Sequence, residues 1–473
     1  MTPKQIAAFA IGPIGSAALG FLTLPIITWF FSQEDVGRMS MLTVAVSFST
    51  LLFTLGLDQA YVREFHEAKN KPKLFRTVVL PGFTLLAFVL ILLSVNNNIA
   101  KGLFEIDSFS LSLLVAIAVL SDFLSRFFSL ILRMSERGLA FSISQLLPKL
   151  LLLIIIGSYV ILGAKQAFEN LVIAVVLSAL CVCIVFAWNT RKEWVQALRG
   201  KIDLEYLKGL LQFGLPLILG GLAFWGLTAT DKIFLKELST FEQLGLYSVA
   251  VSFAAAASIF QAIFSTIWAP TVYKWAAAGE GLENIHKVTR FVLLAVVVLF
   301  SLGALFSWVV TYILPENYKQ VQWILIPCLA YPLLYTLSET TVVGLGITRR
   351  SGLSMLAASI SFVINVVGNW FLIPLYGAKG AAISTAIAFW FFFFLRTEFA
   401  IYAWKPIPRF LLYAYTLILL SLAILSCLYG QAYRLEYGLL WVLIIISALF
   451  FFKAEVQFFL SFVANRWRDY YGY

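Results

Sequence analysis

The chain divides almost end to end into apolar runs of about 20 residues, the length that crosses a bilayer core as an α-helix. Fourteen such runs can be drawn, at roughly 5–31, 38–60, 77–95, 109–133, 138–162, 169–188, 209–235, 243–268, 288–314, 320–347, 351–375, 379–402, 409–430 and 434–454. Hydrocarbon offers no water to a peptide group, so each run must pair its backbone internally as a helix. The expected fold class is therefore an all-α polytopic membrane protein with 14 transmembrane helices. Composition agrees: 12% of the 473 residues are charged, against about 25% in a soluble domain. The first run is too long for a signal-peptide core and lacks a small-residue cleavage site, so it is expected to be retained.

A net charge of +10 would suit nucleic acid, but the positions of the basic residues argue for a simpler cause. Connectors after even-numbered runs are basic, as in Arg63, Lys69, Lys71, Lys73 and Arg76, or Arg191, Lys192, Arg199, Lys201 and Lys208. The series continues through Arg133/Arg137, Lys274/Lys287/Arg290, Arg349/Arg350 and Arg396/Lys405/Arg409. With Lys4 and the tail, that side collects 24 of the 34 Lys and Arg residues, the opposite side 7, and three lie inside runs. Basic residues accumulate in cytoplasmic loops. Both termini are thus expected on the cytoplasmic side of a cytoplasmic (inner) membrane, with an even number of spans and no nucleic-acid partner. Trp and Tyr near run ends (Trp29, Tyr61, Trp188, Trp268, Tyr312) fit an interfacial belt. Four cysteines sit in runs and both histidines in connectors, a pattern read as neither disulfide nor metal site, with no resident cofactor.

An internal repeat is visible. Gly12-Pro13 in run 1 resembles Gly214-Leu215-Pro216 in run 7. The turns Glu34-Asp35-Val36-Gly37 and Glu242-Gln243-Leu244-Gly245 follow, then Val44-Ala45-Val46-Ser47-Phe48 and Val249-Ala250-Val251-Ser252-Phe253. Later, Gly163-Ala164-Lys165 matches Gly377-Ala378-Lys379. The offsets are 203, 208, 205 and 214 residues. Six helices per repeat is an even number, so the halves share one topology and relate by an axis along the membrane normal. The expected domains are a six-helix lobe over 1–200, a second over 201–406, and two extra helices with a cytoplasmic tail over 407–473. Proline removes a helix hydrogen bond and bends the axis. Pro13, Pro25 and Pro216 are therefore hinge candidates, and Pro327 with Pro332 predicts a break in run 10. Close helix packing through the glycines around them is an equal reading.

The stretch Asn365-Val-Val-Gly-Asn369-Trp-Phe-Leu-Ile373-Pro374-Leu-Tyr376-Gly377-Ala-Lys-Gly380-Ala381-Ala382-Ile383-Ser-Thr385 resembles a signature of Wzx-type polysaccharide flippases, in the multidrug/oligosaccharidyl-lipid/polysaccharide exporter superfamily. Leu55-Gly56-Leu57-Asp58-Gln59-Ala60-Tyr61-Val62-Arg63, Ala229-Thr230-Asp231-Lys232-Ile233-Phe234-Leu235 and Trp268-Ala269-Pro270 are similar to segments of the same family. Many members have 12 spans, and 14 is nearer the related lipid II flippases. The resemblance implies transport of an oligosaccharide on a polyprenyl pyrophosphate from the inner to the outer leaflet. It implies the bilayer and other polysaccharide-assembly membrane proteins as partners.

Charges inside the runs are the candidates for that transport, because an intramembrane charge is expensive and usually faces a cavity or a partner. Arg126 lies four residues after Asp122, on one helical face, so it either pairs with Asp122 or lines a cavity. Lys149 follows Pro148 and has no acid three or four positions away, which makes it the foremost anion-binding candidate. Lys232 adjoins Asp231 but diverges from it by about 100° around the helix, and either snorkels outward or faces inward. Arg126, Lys149 and Lys232 are the expected substrate-binding residues. Asp58, Asp122, Asp231 and Glu339 are expected to couple or gate, with proton or sodium as the driving ion. The expected mechanism is alternating access through a cationic cavity. A multidrug or cation antiporter of the same superfamily is the rival, and it would want acidic residues in the cavity. A membrane enzyme of polysaccharide assembly is less suited, since no large outward loop and no intramembrane histidine is present.

Overall fold

The computed structural model describes residues 3–94, 98–198, 203–278, 281–458 and 460–461. Among them every regular element is a helix. The first are α1 (Pro3–Phe30), α2 (Gln33–Phe53), α3 (Leu57–Glu64), α4 (Lys71–Ser94), α5 (Asn98–Phe104), α6 (Phe109–Met134) and α7 (Gly138–Ile161). Next come α8 (Phe168–Asn189), α9 (Arg191–Leu198), α10 (Leu204–Leu238), α11 (Phe241–Ala254), α12 (Ser258–Ala278), α13 (Gly281–Leu305) and α14 (Val310–Ile313). The chain ends with α15 (Val321–Cys328), α16 (Ala330–Thr341), α17 (Val343–Ile347), α18 (Ser351–Tyr376), α19 (Ala378–Ala403), α20 (Phe410–Tyr429) and α21 (Arg434–Phe451).

Thirteen stretches among the described residues are long and apolar enough to cross a membrane. α1 covers the first apolar run with 28 helical residues. The chain is an all-α, multi-pass membrane protein. Its outward surface is apolar: Ile161, Phe410 and Leu435 are each at least 80% exposed, as lipid-facing side chains should be. Two compact units are present, Met1–Ser248 and Val249–Tyr473. The first helix of the second sequence repeat, α10, falls in the first unit.

Local chemistry sets the helix ends. Ser32 begins α2 with a capping box: its hydroxyl accepts from the Asp35 amide at 3.1 Å, and the Asp35 carboxylate accepts from the Ser32 amide at 3.3 Å. Ser108 and Asp203 cap α6 and α10 more simply, each side chain accepting one amide, from Leu111 and Tyr206. The matched glycines of the two repeats, Gly163 and Gly377, close α7 and α18 with φ of 62° and 53°, a backbone region that favours glycine.

Run 2 is not one helix. Leu55 and Gly56 adopt φ of 53° and 67° and separate α2 from α3. Gly56 packs on the Gly214 backbone of α10 so closely that a Cβ there would strike its carbonyl. Run 8 is interrupted close to the repeat-equivalent place, by a 3-10 turn at Ala255–Ala257. Run 10 breaks at Leu329, between α15 and α16, as its prolines predict. The three hinge candidates lie elsewhere. Pro25 and Pro216 sit within α1 and α10, which run without interruption. Pro13 is also on α1, with its side chain outside the described residues.

The signature residues of α18 and α19 have a packing role. The Asn369 amide donates to Asn365 at 3.0 Å, the Asn365 amide to Thr385 at 3.3 Å, and Ser384 to the Asn365 carbonyl at 3.0 Å. Gly380 lies against the Leu372 carbonyl, where a Cβ would not fit. Small residues and buried amides that cross-link neighbouring helices are the usual means of association in lipid, where apolar contact alone gives no preference.

Candidate functional site

Within the first unit, α2, α3, α6, α7 and α8 enclose a polar cavity of about 490 Å³. The break after α2 builds it. By restarting the chain at Gly56, it places Asp58 in the first turn of α3, where a carboxylate is favoured by the unpaired amides of a helix N-terminus. α6 carries Asp122 and Arg126 toward the same space.

The pairing differs from the one the four-residue spacing suggests. Arg126 directs two donors at Asp58 Oδ2, Nη2 at 2.7 Å and Nε at 3.2 Å. Gln59 adds a third donor at 3.1 Å. Asp122 instead accepts from the Thr50 hydroxyl at 2.7 Å. Spacing on one helix permits contact, but Asp58 is presented end-on from α3 and takes both donors of one guanidinium edge on a single oxygen. The Asp58 side chain is 9% exposed and that of Arg126 44%, so the acid is the buried anchor and the base reaches the cavity.

Other expected residues fall in different places. Pro148, Gln145 and Ser144 of α7 line the cavity, and Lys149 follows next in the chain, exposed and with no ion pair among the described residues. Asp231 is fully buried on α10 and accepts from the Tyr247 hydroxyl at 2.5 Å, while its neighbour Lys232 is half-buried. Glu339 belongs to the second unit, where it accepts from Ser265 at 2.5 Å. The lining of the first cavity carries two carboxylates, Asp58 and Asp122, and one guanidinium, Arg126. Its formal balance is acidic rather than cationic.

Sequence reading missed Thr50, Ser144 and Gln145, which are ordinary polar residues of a membrane helix until a neighbour places them. It also grouped Arg396 with the basic connector that holds Lys405 and Arg409. The structure puts Arg396 inside α19, seven residues before its end, about 10 Å along the axis.

Comparison with known proteins bears on what such a cavity serves. The family model described as "Polysaccharide biosynthesis protein" matches residues 4–275, more than half of the chain. The chain belongs to the polysaccharide biosynthesis protein family. A relative of this family member, the probable low-salt glycan biosynthesis flippase Agl15 of Haloferax volcanii, is 22% identical over 211 residues. That match spans 44% of each protein, so the chain aligns with under half the length of its curated relative. Among solved structures, the lipid II flippase MurJ in an inward closed conformation is similar over 95% of this chain and 99% of its own. Its TM-score is 0.67 at 14% identity. An inward-facing multidrug resistance MATE family transporter covers 81% of this chain and 93% of its own, with a TM-score of 0.58 and 14% identity. At such identities the likeness establishes a shared fold. The matched family agrees with the one drawn from the motifs.

Proposed function

We propose that this protein is a flippase that carries a polyprenyl-pyrophosphate-linked oligosaccharide from the inner to the outer leaflet of the cytoplasmic membrane. The observation that carries the proposal is Arg126, held by a buried Asp58 at the wall of a polar cavity, in a chain of the polysaccharide biosynthesis protein family. A pyrophosphate cannot leave water for hydrocarbon unaided, because loss of its hydration is prohibitive. Asp58 fixes the guanidinium plane through Nε and Nη2, leaving Nη1 to meet a phosphate oxygen. Lys149, on the adjacent α7, supplies a second cation without a counter-ion of its own among the described residues. The lipid tail stays in the bilayer while the head group crosses.

The distribution of Lys and Arg supports a cytoplasmic position for both termini. Asp58, Asp122, Asp231 and Glu339 are the groups through which a proton or sodium ion would couple, and Pro13, Pro25 and Pro216 the points about which the lobes would bend. No bond of the substrate is made or broken, so the activity is transport rather than enzymatic conversion.

Cation export is the second reading, and the two carboxylates of the cavity favour it. Complementation of a flippase-deficient strain separates the two. Restored surface glycan with wild type, lost with Arg126→Ala and Lys149→Ala at equal protein levels, is the expected result. Normal export by both variants would remove the anion-binding role. Efflux of a cationic dye without glycan export would establish the rival.

A further inference from the structure

The second unit holds a cavity of its own, of about 250 Å³, bounded by α12, α16, α17, α18 and α19. Glu339 and Arg396 both line it, with Ser265, Ser354, Trp268 and Tyr273. Ser265 donates to Glu339 Oε2 at 2.5 Å, which leaves the carboxylate's other oxygen with no hydrogen bond among the described residues. Arg396 gives Nη1 to Ser338 at 2.5 Å, and its guanidinium lies 4.9 Å from the Phe392 ring centre and 5.3 Å from that of Tyr335. Its Nε is buried with no hydrogen-bond partner among the described residues. A buried donor without a partner is rare in a folded protein and calls for a ligand or water. Trp268 is fixed by its Nε1, which donates to the Glu339 carbonyl at 2.9 Å, and Tyr273 stands half exposed against Gly346.

The position is built, not incidental. Ser265 and Glu339 follow Asp58 and Arg126 by 207 and 213 residues, within the offsets of the matched repeat motifs. The contact between α3 and α6 in the first unit thus recurs between α12 and α16, with its chemistry changed. Carboxylate and guanidinium become hydroxyl and carboxylate, and the base is supplied from α19 instead.

We propose that this cavity is a sugar-binding subsite, taking a single neutral pyranose ring of the glycan; this rests on the flippase reading above. Charge selects the ligand class. A phosphate meeting Arg396 would also face the Glu339 carboxylate, and a cation meeting Glu339 would face Arg396. A neutral polyol satisfies both, its hydroxyls donating to the carboxylate and accepting from the guanidinium. The Trp268 and Tyr273 rings offer apolar faces with polar edges, which suit the mixed surface of a sugar. The volume lies below the roughly 300–1,000 Å³ of sites for drug-sized molecules, so it admits single rings and not a whole oligosaccharide.

The test uses the full chain in nanodiscs and saturation-transfer NMR with neutral methyl glycosides, inorganic phosphate and choline as probes. Wild type should receive transfer from at least one neutral glycoside and from neither ion. Glu339→Gln should weaken that binding about tenfold, equivalent to about 1.4 kcal/mol. Ser354→Trp, which fills the cavity and keeps both charges, should abolish it and preserves the test if Glu339→Gln misfolds. Transfer from phosphate or choline alone, or glycoside binding untouched by Ser354→Trp, overturns the subsite. Glycan export is measured in parallel. Normal export by wild type and both variants, without glycoside binding, sinks the subsite and spares the flippase reading. Failure of wild type to export, with glycoside binding that Ser354→Trp abolishes, sinks the flippase reading and spares the sugar site.

Discussion

Ser248 donates a hydrogen bond to Ser40 at 2.8 Å, and these two residues occupy the same position in the two sequence repeats, 208 residues apart. The contact around them is reciprocal. Gly37 lies against the Phe241 carbonyl, and Gly245 lies against the Gln33 carbonyl. Both pairings carry the same 208-residue relation. The first turns of α2 and α11 therefore meet about a local two-fold axis that passes between the serines, as an isologous contact requires. A methyl group at Gly37 or Gly245 would enter the facing carbonyl. Gly37→Ala and Gly245→Ala should each destabilise by about 1–3 kcal/mol, the usual range for overpacking. Gly209 on α10 faces open space, and Gly209→Ala should be neutral or stabilise by up to about 1 kcal/mol. Thermal unfolding of the three variants in detergent checks the contrast.

The Arg126–Asp58 pair should behave as a coupled unit. Arg126→Ala strands a carboxylate that is 9% exposed, whereas Asp58→Ala releases a guanidinium that is 44% exposed. The first should lose about 1–3 kcal/mol, the scale of a lost charged hydrogen bond, and the second less. In a double-mutant cycle the combined change should fall short of the sum by about 1 kcal/mol, after allowance for solvent at Arg126. A sum that is simply additive would mean that the pair does not hold in the membrane.

Lys149 separates function from stability. It is exposed and unpaired among the described residues. Lys149→Ala breaks no ion pair among the described residues and removes a costly intramembrane charge, so it should not lower stability. Glycan export should nonetheless fall about tenfold or more, and Lys149→Arg should restore much of it. Equal export by Lys149→Ala and wild type would place the anion site elsewhere.

Acid should loosen the start of α10. Asp203, outside the membrane span, accepts from the Tyr206 amide at 3.1 Å and pairs with Lys73 at 3.0 Å. The amide first, and then Lys73, hold its pKa below the ordinary carboxylate value. A depressed folded pKa means that the stabilisation is complete above the unfolded value, about pH 4, and is lost as pH falls through the folded one. Asp203→Asn keeps a capping acceptor but cannot titrate. The difference in unfolding temperature between wild type and Asp203→Asn should be constant above about pH 5 and shrink toward pH 3.

Much of the architecture is legible in the sequence. Apolar run length names the spans, because bilayer thickness dictates it residue by residue. The repeat was visible in short motifs, since equivalent turns need equivalent glycines: Gly163 and Gly377 both have positive φ, and Gly37 and Gly245 both touch backbone. The break between α2 and α3 was hidden. It falls in an apolar stretch at Leu55 and Gly56, and a membrane helix can carry a single glycine without breaking. The prolines of α1 and α10 drew attention to runs that stay continuous.

The sequence by itself determined that this chain is a many-helix membrane protein and displayed matched turn motifs about 208 residues apart. Those properties are written locally, in apolar length and in the spacing of turn residues. Only the tertiary structure decided which charges meet. Arg126 pairs with Asp58, 68 residues away, rather than with Asp122 on its own helix, and Arg396 lines a cavity within the second unit rather than a basic loop. Helical periodicity fixes which side chains share a face. The partner they find there depends on what another helix brings to that face, and the packing of distant segments settles that.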